Sequence, residues 1–406
     1  MTSRNAYIIA ARRSALGRIG GLHRNRRIED LAVPVLEQAL ADANLAASQV
    51  DDLIIGNASQ GSNPARLIAL AAGLPPTTSA LTLDRQCASG LDAVLAASRA
   101  IELGEASVVI AGGAESLSTA PWRIAKPRRL HQVPHFIGVD TSEDDDDAAS
   151  QVFEAVEDLS KRLGISREQQ DAWAWKSHQK AAKAYETKRL LGEIVPLRKN
   201  AEEVRDETAF DDPDIEDLSD LAPYYDPNGT LTPGNTSSLH DGAAFVVIVD
   251  QNTWEALERP PALRLMQSAS CGVGPDEAAF APIQVVEKLY GRIDGFNPKS
   301  IGCVELSETS AAQAIAFSSQ LGLDDELINA DGGALVRGHP FGAAGAVLVV
   351  RLFTTMCRVQ TARGAEGSTT GRQDTQPNRP QFGVAALGAR GGLGLAALFE
   401  AVGTKT

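Results

Sequence analysis

Cysteine is scarce in this sequence: there are four among 406 residues, and none lies in a Cys-x-x-Cys pair. A disulfide framework or a cysteine-based zinc site is therefore not expected, and a reactive thiol in a reducing compartment fits better. The sequence also lacks an apolar run near the ~20 residues that cross a bilayer. The start of the chain has no secretory signal layout, so we expect a cytoplasmic protein with no membrane partner.

Positive charge is also in short supply, since 38 Lys and Arg face 52 Asp and Glu and give a net charge of −14. An acidic surface repels nucleic acid phosphates, so we expect no nucleic acid partner. A small anionic ligand is still allowed, because a local site can be positive on an acidic protein. Metal-ligand spacing is missing as well, so we expect no metal.

Short apolar runs alternate with helical patterns along most of the chain. The alternation predicts an α/β layered fold. A capping box at Ser166 and Gln169 predicts a helix over 172–185. The predicted strands span 6–10, 52–56, 108–111, 244–249, 301–306, 382–387 and 393–399.

Two α/β stretches of similar style suggest an internal duplication, with one half over residues 1–260 and the other over 261–406. Residues 120–240 are polar and rich in turn residues, which predicts a lobe inserted into the first half. The acidic run 143–147 is interpreted as a solvated loop. Residues 335–345 predict a Gly-rich turn, and 361–379 a mobile loop.

Cys87 follows a short β-like stretch and precedes a long amphipathic helix. That position would place its sulfur at a helix N-terminus, where the dipole and free N–H groups lower a thiol pKa. The alternative is a buried, inert cysteine.

His339 lies between Gly338 and Pro340. A histidine in such a tight loop can act as a base toward a thiol, or it can be a loop residue bonded to backbone.

Taken together, these motifs resemble the thiolase family over nearly the whole chain. The shared segments are Ile9-Ala10-Ala11-Arg12-Arg13, Asn63-Pro64-Ala65-Arg66, Cys87-Ala88-Ser89-Gly90-Leu91, Gly112-Gly113-Ala114-Glu115-Ser116, Ile165-Ser166-Arg167-Glu168, Gly234-Asn235, Asp241-Gly242-Ala243, Gly332-Gly333-Ala334 and Gly338-His339-Pro340. The resemblance implies two duplicated halves in a five-layered αβαβα arrangement, with the inserted lobe over a coenzyme A site. It also implies a homodimer or homotetramer with a role in lipid metabolism.

The resemblance implies an acyltransferase that forms an acyl-cysteine intermediate from acyl-CoA or 3-ketoacyl-CoA. Cys87 resembles the nucleophile and His339 the base. The backbone N–H of Arg390, with that of Cys87, would form an oxyanion hole. Ser237 lies where the family contacts coenzyme A. The thioester is the substrate, so no further cofactor is expected, and acyl-CoA and CoA are the expected partners.

Two loops depart from the family pattern. The family's Asn-Glu-Ala-Phe motif appears as Ser307-Glu308-Thr309-Ser310, so Ser307 replaces an amide that helps to bind the thioester oxygen. The second catalytic cysteine, which exchanges a proton with the acetyl-CoA carbon, appears as Gly388. Losing a positioned acid or base costs about 10²–10⁴-fold. Cys303 is a conceivable substitute, but its strand position favours the core.

Three interpretations therefore stay open. The chain is a working thiolase, a divergent acyltransferase that uses Cys87 and His339 without carbon–carbon bond chemistry, or a CoA-binding protein without catalysis. Retention of both residues argues against the last.

Overall fold

The computed structural model describes residues 5–134, 136–137, 148–197, 204–210, 213–358 and 380–403. The strands in these ranges are β1 (Ala6–Ser14), β2 (Gly17–Arg18), β3 (Asp52–Gly56), β4 (Ser79–Leu83), β5 (Val108–Glu115), β6 (Arg123–Ile124), β7 (Phe136–Ile137), β8 (Ile194–Val195), β9 (His240–Asp250), β10 (Ala262–Gly272), β11 (Ile301–Leu306), β12 (Phe382–Ala389) and β13 (Leu393–Val402). The helices are α1 (Ile28–Asp42), α2 (Pro64–Ala71), α3 (Ser89–Leu103), α4 (Ala148–Leu163), α5 (Arg167–Glu186), α6 (Ile215–Ser219), α7 (Gln251–Ala256), α8 (Ala281–Tyr290), α9 (Ala311–Leu321), α10 (Ala334–Arg337) and α11 (Phe341–Phe353).

The main sheet runs in the order β11-β12-β13-β10-β1-β9-β5-β3-β4, with β2 added to β9 and β8 added to β1. An antiparallel contact between β1 and β10, with Tyr7 opposite Arg264 and Ile8 opposite Leu263, joins an N-terminal half-sheet to a C-terminal one. The strands β3, β4 and β5 are parallel to one another, as are β11 and β12. Each half therefore holds the parallel pairs that α/β crossovers produce.

Helices cover both faces of each half-sheet and complete the predicted five layers. The helices α1 and α2 pack outside the N-terminal half-sheet, and α8 packs with α9 outside the C-terminal one. The helices α3 and α11 lie between the two. Strand residues alternate accordingly: on β9, Val246 and Ile248 face the middle layer, while Phe245 and Val247 face α1. The predicted α/β fold class is confirmed.

The apolar helix α11 forms the centre of the molecule. Its segment Phe341–Arg358 is long and apolar enough to cross a membrane by composition alone. Every residue of α11 is buried, however, and the helix contacts strands of both half-sheets. It is a core helix, since a helix that is apolar on all sides must be buried.

The inserted lobe packs against the C-terminal half, because α4 and α5 both contact α9 and α5 also contacts α10. The predicted capping box opens α5: the Ser166 hydroxyl accepts from Gln169 N at 3.3 Å, and Gln169 Oε1 accepts from Ser166 N at 2.8 Å. The predicted turn over 335–345 was wrong in part, since α10 and the start of α11 occupy it. The predicted loops at 143–147 and 361–379 lie outside the described residues. The division after residue 260 stays a prediction.

Candidate active site

Two helix starts meet at the centre of the molecule. Cys87 lies two residues before α3, and His339 lies two residues before α11. The helices approach closely because their contact is made of glycines. A β-carbon on Gly90 would lie 2.7 Å from the Gly342 carbonyl oxygen, and one on Gly345 would lie 2.5 Å from the backbone of α3. This close packing brings the segments that carry Cys87 and His339 together, although the two residues lie far apart in sequence.

The thiol of Cys87 is buried, with 5% of the residue exposed. Burial raises its pKa to about 11, and this outweighs the opposing effects of the Arg390 charge and of the N–H groups of Arg390 and Cys87. The expectation that the start of α3 lowers this pKa is therefore wrong. A helix terminus favours a thiolate by a fraction of a charge, whereas full desolvation acts on the whole charge.

The N–H groups of Cys87 and Arg390 both lie near the Cys87 sulfur and favour its thiolate, while their role as an oxyanion hole stays a prediction. Arg390 lies in the turn between β12 and β13. Its half-buried guanidinium lies 5.5 Å from the ring centre of Phe341. That ring in turn lies 5.8 Å from the His339 ring. Arg390 thus lies near Cys87 and near the Phe341 ring that neighbours His339. Its side chain places a cation beside the thiol.

His339 is buried and fixed at both backbone ends. Its N–H donates to the Ser238 carbonyl at 2.8 Å, and its carbonyl accepts from His240 N at 3.1 Å. Its Nδ1 lies 3.2 Å from Ser307 Oγ, while its Nε2 has no hydrogen-bond partner among the described residues. Burial, with a smaller contribution from His240, lowers the pKa of His339 to about 4. The imidazole is therefore neutral near pH 7.

The segment that carries Ser237 runs directly beside His339. Ser237 is half-buried and its N–H donates to the Thr309 carbonyl at 3.0 Å. His240 at the end of this segment is fully buried, and its ring nitrogens lie 2.8 Å from the Glu207 carbonyl and 3.1 Å from the Ser238 carbonyl. These bonds give His240, the first residue of β9, a structural role.

Gly388 lies inside β12, where a β-carbon would meet two neighbouring residues. A β-carbon there would lie 3.2 Å from Pro282 Cδ and 3.6 Å from Gln313 Nε2. Cys303 does not take its place. Cys303 pairs with Gly383 across β11 and β12, five residues or roughly 16 Å along the strand from Gly388. Cys303 is buried in the core, as predicted.

Sequence reasoning assigned no role to Glu115, which the structure places under the site. Its carboxylate accepts from the N–H groups of Gly342 at 2.9 Å, Ala58 at 3.0 Å and Ser59 at 3.1 Å. These bonds tie the start of α11 to the loop after β3. Burial raises the pKa of Glu115 to about 7 despite them. The signal was present in the Gly112–Ser116 motif, where an acid directly ends a fully buried strand.

A buried charge network lies beneath His339. Arg13 pairs with Glu193 and with Asp206, each at 2.6 Å, and Arg351 pairs with Glu193 and Asp331. Burial alone would raise the pKa of Glu193, but Arg351 and Arg13 lower it to about 2. The network ties β1, the inserted lobe and α11 together. In the described part of the chain, no group of three or more His, Cys, Asp or Glu side chains is arranged to hold a metal ion.

Comparison with known proteins identifies this arrangement. Residues 6–252 match the family described as the N-terminal domain of thiolase, and residues 259–401 match its C-terminal domain. The chain belongs to the thiolase family. It is 32% identical to the 3-ketoacyl-CoA thiolase of Bacillus subtilis over 420 residues, which cover 98% of this chain and 99% of that protein.

Solved thiolase structures show the same architecture. The crystal structure of the Bacillus anthracis acetyl-CoA acetyltransferase matches with a TM-score of 0.86 and 31% identity, over 98% of this chain and 99% of that one. Human mitochondrial 3-ketoacyl-CoA thiolase, crystallised with CoA, matches with a TM-score of 0.84 and 26% identity, over 98% of each chain. The predicted family and fold are confirmed, and the chain is a thiolase-type acyltransferase.

Proposed function

We propose that this thiolase transfers acyl groups from acetyl-CoA or 3-ketoacyl-CoA through an acyl intermediate on Cys87. The observation that carries the proposal is that the backbone N–H groups of Cys87 and Arg390 both lie near the Cys87 sulfur. A carbonyl carbon attacked by that sulfur would place its oxygen beside both donors. Two fixed N–H donors stabilise the oxyanion of a tetrahedral intermediate.

The acylation step requires a base. Attack requires the thiol to lose its proton, and we infer that the neutral imidazole of His339 takes it at Nε2. The sulfur then bonds to the acyl carbon, the carbon–sulfur bond to CoA breaks, and the leaving CoA thiolate takes the proton from His339. Ser237, beside His339, is proposed to contact CoA. Acyl-CoA and CoA are thus the partners, and no further cofactor is required.

Intact-mass spectrometry tests the intermediate. Incubation with acetyl-CoA is expected to add one acetyl group, which the variants Cys87→Ala and His339→Asn should lose or form far more slowly. Cys271→Ala is the matched control, because Cys271 is more exposed than Cys87 and lies on β10 away from the helix starts. An adduct that persists in Cys87→Ala and disappears in Cys271→Ala would refute the assignment.

Gly388 favours a second candidate function, acyl exchange without carbon–carbon bond chemistry. The acylation step needs Cys87, His339 and the oxyanion hole, whereas thiolysis also needs an acid near the substrate carbon. Addition of acetoacetyl-CoA and CoA separates the two. Production of acetyl-CoA supports the thiolase reaction, and an acyl adduct without this product supports acyl exchange.

We also infer a homodimer or homotetramer in the cytoplasm. Strand β4 ends the sheet and exposes Leu81, and the adjacent α2 exposes Leu67 and Leu70. A sheet edge with exposed apolar side chains is suited to cover by a second copy. Reduced thiols at Cys87 and Cys271 fit a reducing compartment. Analytical ultracentrifugation checks the assembly, and a monomer at micromolar concentration would contradict it.

A further inference from the structure

The contact between Ser307 and His339 departs from the family pattern and is built into the core. Both residues are buried, and Ser307 Oγ lies 3.2 Å from His339 Nδ1. Ser307 is held at the end of β11 by its N–H, which donates to the Ala386 carbonyl at 3.1 Å. Since the backbone of His339 is fixed as well, the imidazole has one orientation. Its Nδ1 points at a hydroxyl and its Nε2 points away from it.

A neutral imidazole carries its proton on one nitrogen, and only one of the two tautomers can act on the thiol. With the proton on Nδ1, His339 donates to Ser307 Oγ and presents a lone pair at Nε2. With the proton on Nε2, the ring cannot accept a proton there. A hydroxyl can either donate or accept, so the tautomer depends on where the Ser307 proton goes.

A cavity of about 30 Å³ beside Ser307 has room for an acceptor of the Ser307 hydroxyl proton. Its lining includes Ser307, His339, Glu305 and Arg351. Glu305 Oε1 faces Arg351 Nε at 3.9 Å, too far for a direct hydrogen bond. A buried water needs about 10–15 Å³ and two to four polar partners, so the cavity suits one or two waters. A water there can accept from Ser307 and donate to a carboxyl oxygen of Glu305, whose pKa burial raises to about 7.

We propose that Ser307, together with a water held by Glu305 in this cavity, is a positioning residue that keeps His339 in the tautomer able to deprotonate Cys87. The inference rests on the proposed function. In the step, the Cys87 proton moves to His339 Nε2, and the resulting imidazolium keeps its Nδ1–H bond to Ser307. Ser307 itself neither gains nor loses a proton. It thus orients the base and does not bind the thioester oxygen. Helping to bind that oxygen is the role of the family's Asn.

The pH dependence of Cys87 alkylation by iodoacetamide tests the positioning without any substrate. The ion pair of Cys87 thiolate and His339 imidazolium holds as many protons as the neutral pair, so its contribution to the rate does not change with pH. We expect the wild type to show such a pH-independent rate at the acidic end of the profile, where thiolate formed by simple ionisation is rarer than the ion pair. Ser307→Ala should lose it, so that its rate rises tenfold per pH unit, and acylation by acetyl-CoA should fall about tenfold or more.

Three further single variants and one double variant make the test specific. Ser307→Thr keeps the hydroxyl and should retain the pH-independent rate. Ser318→Ala removes another buried serine, whose Oγ bonds to the Leu323 carbonyl at 3.0 Å at the far end of α9, and should leave both rates unchanged. Glu305→Gln should lower acylation, and combined with Ser307→Ala it should cause no further loss, because the two act through one water.

The possible failures are distinguishable. If Ser307→Ala matches the wild type in both the alkylation profile and the acylation rate, the positioning role is wrong while the Cys87 intermediate stands. If the losses of Glu305→Gln and Ser307→Ala add, the shared water is wrong. If the wild type forms no acyl adduct, the proposed function fails, and the alkylation profile still decides the role of Ser307.

Discussion

Substitution of Gly388 by cysteine should restore the acid that the family uses for carbon–carbon bond chemistry. Gly388 lies in the extended backbone of β12, so a side chain there causes no backbone strain. Its β-carbon would lie 3.2 Å from Pro282 Cδ, which is tight by a few tenths of an ångström, and 3.6 Å from Gln313 Nε2, which is ordinary contact. Since Pro282 opens α8 and has only to yield slightly, we expect a stability cost of about 1 kcal/mol.

The expected gain in activity follows from what a positioned acid or base contributes. A second thiol can give a proton to the carbon that leaves as the acetyl-CoA enolate. Such a group contributes about 10²–10⁴-fold, so Gly388→Cys should raise the rate of acetoacetyl-CoA thiolysis by about 10²-fold or more. The rate of acetyl adduct formation on Cys87 should stay the same, because that step uses groups outside β12.

Thiolysis is followed by the loss of acetoacetyl-CoA in the presence of CoA, alongside intact-mass measurement of the adduct. Gly388→Ala is the matched control, since it adds the same β-carbon without a thiol. If Gly388→Cys acylates normally and cleaves acetoacetyl-CoA no faster than Gly388→Ala, a thiol at this position is not what the site lacks. Fast thiolysis by the wild type would also refute the reasoning.

Three other predictions concern the chemistry and the packing of the site. Because burial raises the Cys87 pKa to about 11, the alkylation rate should increase between pH 9 and 11, and a rate that no longer rises above pH 9 would contradict the buried thiol. Glu193→Gln should lower the free energy of unfolding at pH 7 by about 3–5 kcal/mol in urea titrations, against less than about 1 kcal/mol for Asp158→Ala at an exposed pair. With its pKa lowered to about 2, Glu193 stabilises the fold above pH ~4.5, and this contribution should disappear as the pH falls toward 2. Gly345→Ala should destabilise the fold by about 1–3 kcal/mol and slow acylation of Cys87, because its β-carbon would push α11 away from α3; unchanged acylation in a folded variant would mean that this contact does not set the site.

Local patterns were enough to predict seven of the strands and the capping box at Ser166, since both depend on residues close in sequence, whereas the long strand β10 was not predicted. They also placed Cys87 before a helix. The helix α4 was not predicted, because the Pro-rich and acidic composition before it suggested a loop. The sign of the Cys87 pKa shift was wrong for a related reason: the start of α3 is visible in the sequence, but the depth at which it is buried is not.

The side-chain contacts of the site were beyond sequence reasoning, because they join distant parts of the chain. Ser307 was treated as a weakened carbonyl donor, and only the packing of β11 against the loop before α11 shows that its hydroxyl meets His339. Glu115 was noted within a motif and given no role. Its function depends on N–H groups of Gly342 and of the loop after β3, which come together only in the folded chain.

Burial keeps the catalytic pair uncharged before a substrate binds. It raises the Cys87 pKa to about 11 and lowers the His339 pKa to about 4, so both groups are neutral near pH 7. Charge separation between them is unfavourable until a thioester carbonyl lies beside the N–H groups of Cys87 and Arg390, where the developing oxyanion is stabilised. The protein therefore stabilises charge where the reaction creates it, and not on the free thiol. Acylation by a bound thioester should accordingly far exceed the rate at which a small neutral alkylating agent of similar intrinsic reactivity modifies the same sulfur at pH 7.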